Sequence, residues 1–469
     1  MNSGVKTTGM AKAVRSERDS MGEMQVPGDA MYGASTARAV ENFPVSGLRF
    51  PREFIKALGC IKQAAAAVNT SLGRLDATAS ALIGQASEEV AGGIWDAHFP
   101  LDIFQTGSGT STNMNANEVI AHRCAQLDGN TPVHPNDHVN KGQSSNDVIP
   151  TAMHVAAADV LLHRLLPSLA HLHAGLVQKA EEAADVVKIG RTHLMDATPI
   201  TLGQEISGWA RQVELGKARL ESCLPRICEL AQGGTAVGTG LNTHPEFGAR
   251  MAEELSSMYG IAFTEAGNHF EAQAAQDACV ELSGALRTVA VSLLKIANDV
   301  RLLNMGPRCG IGEITVPAVQ PGSSIMPGKV NPVIAESLAQ VCAQVIGNDA
   351  AITVGGASGL LDLNVMLPVM THNLLESERL LASAALMFAD KCVAGLTPNT
   401  EKCEQQIEWS MSMVTSLAPV IGYETAAKLA KQAVAEGKTV RQLCLEMKVL
   451  PENELDALLD PASMLHPHA

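Results

Sequence analysis

The sequence predicts a mostly α-helical protein organised around long buried helices, and three observations carry that prediction. Leu282, Leu286, Val289, Leu293, Ile296, Val300 and Leu303 alternate four and three residues apart, the heptad spacing of a helix packed along its length. At 1.5 Å per residue the stripe spans about 32 Å. Val280, Val291, Leu294 and Leu302 lie off the stripe, so this helix is apolar on more than one side and belongs inside a bundle. Aromatic residues are only 3% of the chain against 46% hydrophobic overall. Such a core is filled by Ala, Leu, Val, Ile and Met, which suits close-packed helices.

The same periodicity predicts helices near 51–73, 78–91, 151–187 (kinked at Pro167), 202–230, 332–346 and 372–389. Strand signals are sparse, Val186–Ile189 being one. Loops rich in Gly, Ser, Thr and Asn separate the helices at Thr106–Asn117, Asn140–Asp147, Gln232–His244 and Gly306–Asn331. Loops of this length in a compact bundle are commonly functional. Pattern breaks near residues 142 and 395 predict three segments: an N-terminal helical domain 1–142, whose first ~13 residues are expected to be disordered, a central helix-bundle domain 143–395, and a small C-terminal helical domain 396–469.

Among 469 residues the net charge is −15, and no basic stripe is present to neutralise phosphates, which disfavours nucleic acid. An anionic ligand would have to be attracted by local donors against the global field. No apolar run reaches the ~18 uncharged residues of a membrane span. The ten cysteines are scattered without C-x-x-C or zinc spacing, and the first 24 residues lack the apolar stretch of a secretory signal. A reduced, cytoplasmic setting is the expectation.

Five motifs carry chemistry. Gly322-Ser323-Ser324-Ile325-Met326-Pro327-Gly328-Lys329-Val330-Asn331 fails as a phosphate loop, with five residues between its glycines and Val after Lys. What remains is two hydroxyls, an ammonium and an amide ahead of a helix N-terminus, equipment for a carboxylate whose charge grows during reaction. His193, preceded by Thr192 just ahead of a helix, is a candidate acid–base group, because an imidazole side chain generally titrates near working pH. Thr106–Thr110 (with Ser108 and Gly109) and Gly142–Asp147 (with Ser144, Ser145 and Asn146) offer hydroxyls and backbone N–H groups that a planar anion can approach. Helix capping accounts for the second of these equally well. Gln232–Gly240 lacks the third glycine of a dinucleotide fingerprint and reads as a tight loop.

Together these motifs resemble the aspartase/fumarase superfamily, and within it the class II fumarate hydratases, over nearly the whole chain from about Val14. Gly322–Asn331 matches the superfamily signature loop; Thr106–Asn117, His134-Pro135-Asn136-Asp137, Ser144–Asn146 and Gly190–Thr198 support it. His193, Gly328 and Ser145 follow the fumarase pattern rather than that of the aspartate ammonia-lyases, which usually carry Gln, Ala and often Thr there. Met195 departs from both.

The resemblance implies a three-domain fold whose central five-helix bundle forms a 20-helix core in a homotetramer, with each active site drawn from three subunits. It implies reversible addition of water to fumarate giving (S)-malate, a citric-acid-cycle step, with no metal or organic cofactor. Ser323 would be the base, His193 the acid–base group at the hydroxyl, and Glu336 its orienting carboxylate. Ser108, Gly109, Thr110, Ser144, Ser145, Asn146, Thr192, Ser324, Lys329, Val330 and Asn331 would bind the dicarboxylate. A secondary anion site at His134, Pro135, Asn136 and Asp137 is implied as well, but the preceding Leu127–Pro132 connection is short and has no Lys or Arg, which weakens that expectation. The alternatives are an aspartate ammonia-lyase of the same superfamily and, in another class, a non-catalytic helical scaffold.

Overall fold

In the computed structural model, which describes residues 13–467, helices dominate and the strands pair only two by two. The disorder expected at the N-terminus falls almost wholly on residues outside that range. A hairpin of β1 (Val14–Asp19) and β2 (Gly22–Pro27) opens the described chain. Helices α1 (Ala34–Asn42), α2 (Arg52–Ser71), α3 (Ala77–Ala91), α4 (Thr110–Leu127), α5 (Ser145–Val160) and α6 (Leu166–Glu182) follow. A second hairpin, β3 (Val187–Thr192) and β4 (Met195–Thr201), leads into α7 (Leu202–Ile227). Then come α8 (Phe247–Tyr259), α9 (His269–Ala274), α10 (Asp277–Leu303), α11 (Val333–Gly356) and α12 (Leu367–Phe388), with shorter helices between residues 400 and 458.

Every long helix expected from periodicity is present, and the heptad stripe of α10 is buried from Leu282 to Leu303. Off the stripe, Val291 and Leu302 are exposed in the single chain. Three details differ from expectation. The first hairpin is not among the expected elements: β1 (VRSERD) is almost wholly polar, although β2 (GEMQVP) alternates Met24 and Val26 with exposed Glu23 and Gln25, and both strands are short. The expected loop at Thr106–Asn117 ends at Gly109, after which α4 begins. The irregularity assigned to Pro167 lies just before it, as a π-helical turn at Leu161–Leu165, where the ladder adjusts ahead of a residue with no N–H to give.

Contacts divide the chain into two compact units. One comprises residues up to Leu165, Arg219–Arg287 and Gln344–Leu380; the other comprises Leu166–Ala218, Thr288–Ala343 and the chain from Leu381 onward. In the first, α2 packs on α3, α5 and α8, and α3 packs on α4, with Phe54, Leu58, Ile61, Ile83 and Val90 in its core. In the second, Leu417, Leu429, Leu443 and Leu455 form a cluster that includes Ile189 of β3. The helical run Ser145–Glu182 has the length and hydropathy of a membrane span, with a mean hydropathy of 1.2 in its best window, of which 44% is buried inside the chain. A core helix has the same composition.

Within the first unit, Asp102 ties the Phe43–Phe50 segment to the stretch leading to Ser108. Its carboxylate accepts the N–H groups of Ser46 (2.6 Å), Gly47 (2.6 Å) and Phe104 (2.9 Å) and the Ser46 hydroxyl. Burial pushes its pKa up, but these donors outweigh burial and hold it at about 2. The unfolded value is about 3.9, so this stabilisation is present above that pH and is lost as pH falls through about 2. Asp102→Asn should therefore cost about 2 kcal/mol at pH 7, and urea denaturation should show the gap from wild type closing between pH 4 and 2. A gap that stays constant down to pH 2 would contradict this account.

Candidate functional site

The first unit brings two helix N-termini side by side. Gly107 lies against the backbone before α12: Leu367 N–H donates to the Gly107 carbonyl at 3.0 Å, and a Cβ at Gly107 would sit 1.8 Å from the Val365 carbonyl oxygen. Gly109 then turns left-handed, with φ 71°, to start α4. A side chain there would strike Ile149 of α5 at 2.9 Å, so both the turn and the close approach require glycine. The buried Ser108 hydroxyl lies 2.8 Å from the Thr110 hydroxyl.

Ser144 caps α5. Its Oγ accepts from Asn146 N–H (3.2 Å), and its own N–H donates to Asp147 Oδ1 (2.9 Å), a capping box. Ser145 Oγ faces Asn113 Nδ2 of α4 at 3.0 Å. Asn146 Nδ2 donates to the Ala236 carbonyl at 2.8 Å. Asp147 is fully buried, and its Oδ2 accepts from Gly233 N–H (3.1 Å) and Thr235 N–H (2.9 Å). Burial nevertheless raises its pKa to about 6. The Gln232–Gly240 loop, tight as expected, is thereby pinned beside the α5 N-terminus.

The second unit carries the signature loop and the histidine. Gly322 N–H donates to the Lys329 carbonyl (2.8 Å) and Asn331 Nδ2 donates to the Gly322 carbonyl (2.8 Å), closing the loop at its neck. A Cβ at Gly322 would lie 2.6 Å from that Lys329 oxygen. Ser323 is half-buried, and its Oγ accepts the N–H groups of Ile325 (3.2 Å) and Met326 (2.9 Å). Two backbone donors on one hydroxyl oxygen stabilise negative charge there. Ser323, Met326, Gly328, Lys329 and Val330 line an open cavity of about 450 Å³. Ser324, Lys329 and Val330 are exposed, while Asn331 is half-buried.

His193 is not placed just ahead of a helix, as its sequence context suggested; it sits at the tip of the β3–β4 hairpin. Thr192 pairs with Met195, and His193 (φ 57°) and Leu194 (φ 61°) form the two-residue turn. Both residues adopt the left-handed region that such hairpin turns demand and that Asn and Gly supply most cheaply. Non-glycine residues there cost of order 1–2 kcal/mol each, strain of the kind that clusters at functional sites.

The hairpin is anchored by buried charge. Arg191 Nη1 donates to Glu313 Oε1 at 2.7 Å, while the Lys188 ammonium lies 3.1 Å from Glu313 Oε2 and 3.0 Å from Glu205. Lys188 Nζ directs its hydrogen bond to the Ile189 carbonyl at 2.9 Å, so its attraction to both carboxylates is ionic more than directional. Glu336 is half-buried in the first turn of α11, and no hydrogen bond joins it to His193 among the described residues.

At the expected secondary site, Pro135–Val139 form a single π-helical turn capped by His134. The His134 ring nitrogen Nδ1 accepts the N–H groups of Asn136 and Asp137, both at 3.2 Å. The same Nδ1 lies 3.3 Å from Asp137 Oδ2. The donors an anion would use there are occupied by the ring. Among the described residues no cluster of His, Cys, Asp and Glu is arranged to hold a metal.

Sequence reading missed Lys62, Asn113, Asn140, Asp147 and the Lys188–Arg191–Glu313 group. Lys62 carried a signal: it falls on the apolar face of α2, four residues after Leu58 and three before Ala65, both buried.

Comparison with known proteins follows from this geometry. The family profile described as "Lyase" matches residues 22–347, and that described as "Fumarase C C-terminus" matches residues 413–466. The chain is 56% identical over 456 residues to "Fumarate hydratase class II" of Corynebacterium efficiens, covering 96% of each. The chain belongs to the class II fumarate hydratases. It is a lyase of the fumarase type. It is 53% identical over 455 residues to "Fumarate hydratase class II" of Mycobacterium tuberculosis, again covering 96% of each chain. The crystal structure of class II fumarase from Schistosoma mansoni superposes with a TM-score of 0.94 at 42% identity, covering 97% of this chain and all of that one. The family's mostly helical architecture is the one described above. At 23% identity, the 3-carboxy-cis,cis-muconate lactonizing enzyme of Pseudomonas putida shares the fold alone, with a TM-score of 0.70.

In this fumarase the hairpin depends on one buried carboxylate. Removing one partner of a buried ion group leaves the rest uncompensated, typically at a cost of 3–5 kcal/mol. Glu313→Ala should therefore lower stability by about 3 kcal/mol, read as a fall in the urea midpoint. A change under about 1 kcal/mol would show that Glu205 alone compensates Lys188 and Arg191.

Proposed function

We propose that Ser323 and His193 carry the reversible hydration of fumarate to (S)-malate, with Ser323 as the base. The observation that carries this reading is the pair of N–H groups, from Ile325 and Met326, on Ser323 Oγ. A serine hydroxyl is a poor base at its free pKa and needs its alkoxide stabilised. These donors, with Lys329 close in sequence and the α11 N-terminus following, supply that stabilisation.

In the malate-to-fumarate direction, Ser323 takes the C3 proton and the electron pair moves onto the adjacent carboxylate as an aci-carboxylate. Lys329 and Asn331, with Thr192, Ser324 and the backbone at Val330, hold the added charge. Ser108, Gly109, Thr110, Ser144, Ser145 and Asn146 hold the dicarboxylate through hydroxyls, an amide and the N-termini of α4 and α5. The C2–O bond then breaks, and His193 gives its proton to the leaving hydroxide to form water. Hydration reverses each step. A hydratase needs a group that both takes and gives a proton, which an imidazole does and a neutral amide does not.

The active unit in this reading is a homotetramer with sites shared between three subunits. Val291 and Leu302 lie exposed on α10, among exposed charged residues such as Glu281, Arg287 and Lys295 and opposite the buried stripe, which is compatible with that helix meeting a partner subunit. Free thiols, nine of the ten cysteines being buried, fit a cytoplasmic enzyme of the citric acid cycle.

Ser323→Ala should lower kcat by at least about 10³-fold while gel filtration still shows the tetramer; near-normal fumarate consumption, followed by absorbance, would remove Ser323 from the role of base. His193→Asn should lower kcat by about 10²- to 10³-fold with little change in KM. A large rise in KM at unchanged kcat would instead make His193 a binding group.

A further inference from the structure

Behind the first turn of α5 runs a chain of polar groups that the reaction steps leave unused. Lys62 of α2 is fully buried, its ammonium 2.9 Å from Asn140 Oδ1 and 3.0 Å from Gln143 Oε1. An ammonium only donates, so both amides present oxygen to it. Burial lowers the Lys62 pKa to about 7, against the pull of Asp147. The neutral amine still has two N–H groups for these two oxygens, so the polarity holds in either state.

Asn140 Oδ1 also accepts from Asn113 Nδ2 (3.2 Å) and Asn117 Nδ2 (3.3 Å), while Asn140 Nδ2 donates to the Gln143 carbonyl (3.0 Å). Turning the Asn113 amide over would set oxygen against oxygen. Held this way, Asn113 Nδ2 reaches Ser145 Oγ at 3.0 Å as a donor. Ser145 Oγ must accept there, which leaves its own proton to be given elsewhere. The arrangement is kept at a cost. Asn113 Oδ1 and Asn117 Oδ1 are buried and unpartnered among the described residues, and an unpaired buried acceptor costs about 1–3 kcal/mol.

We propose that Asn113, its amide oriented by Asn140 and Lys62, is a positioning residue that fixes the Ser145 hydroxyl as a donor toward a substrate carboxylate. A carboxylate accepts and never donates, so a hydroxyl free to rotate would present its lone pairs part of the time and lose affinity. The inference rests on the proposal that Ser145 touches the substrate.

A double-mutant cycle on the full-length assembled enzyme tests it. Asn113→Asp is isosteric but puts an acceptor against Ser145, drawing the hydroxyl proton inward, while Lys62 offers the new carboxylate a counter-charge. Asn113→Ala removes the donor without reversing it and serves if the first variant does not fold. In the wild-type background, kcat/KM for fumarate should fall about tenfold for Asn113→Asp, roughly the worth of one hydrogen bond to a charged group, and two- to threefold, about a third of a decade, for Asn113→Ala. Calorimetric affinity for succinate, a dicarboxylate that does not react, should fall in parallel. In a Ser145→Ala background both substitutions should change neither quantity, because the group they act through is gone. Equal losses in the two backgrounds, or no loss in wild type, would overturn the positioning role. Should Ser145→Ala by itself leave kcat/KM and succinate affinity unchanged, the substrate contact assigned to Ser145 falls, and this inference with it.

Discussion

Buried charge has to be answered by fixed partners, and that constraint organises each unit of this protein. Asp147 sits at the start of α5 with no access to water, so the N–H groups of Ser144, Gly233 and Thr235 are committed to it. Two stretches far apart in sequence, 144–147 and 233–235, thereby lose their freedom relative to one another. Glu313 does the same for the β3–β4 hairpin through Arg191 and Lys188. Neither carboxylate belongs to the proposed chemistry. Each costs desolvation energy and returns a rigid frame, because breaking any one contact leaves a charge uncompensated.

Rigidity matters for a chain with net charge −15 that acts on a dicarboxylate. The global field repels such a ligand, so attraction has to come from dipoles at short range. Helix N-termini, backbone N–H groups and hydroxyls serve only if their directions are set before the ligand arrives, since reorienting them would consume the energy they supply. Gly109 admits the turn that begins α4, and Gly322 admits the neck of the signature loop. The two N–H groups on Ser323 Oγ apply the same principle to the proposed base. At the hairpin tip, His193 and Leu194 occupy a conformation that glycine would take more cheaply; the anchored strands beneath hold it.

The superfamily's signature loop leaves room for several chemistries, and the side chains around it narrow them. His193 in place of a neutral amide distinguishes water addition from ammonia elimination in this reading, and the relatives in the comparison carry the hydratase name. At His134–Asp137 the backbone N–H groups of Asn136 and Asp137 are given to the His134 ring.

Much of the fold was legible from spacing alone. The stripe Leu282–Leu303 and the apolar periodicity of the other long helices announced themselves because burying one face along a helix requires a repeat near 3.5 residues. Glycines and hydroxyls in Thr106–Thr110 and Gly322–Asn331 marked the loops, since few other residues permit close approach of backbone to an anion. The β1–β2 hairpin stayed hidden because β1 is almost wholly polar and β2 offers only Met24 and Val26 to the core. Which donors point where was decided by tertiary structure. Asn113 and Asp147 are unremarkable as letters, and Lys62 shows only as a charge on an apolar face; they acquire roles only when α2, α4 and α5 converge and exclude water, because the direction of a hydrogen bond depends on which partners remain when solvent is gone.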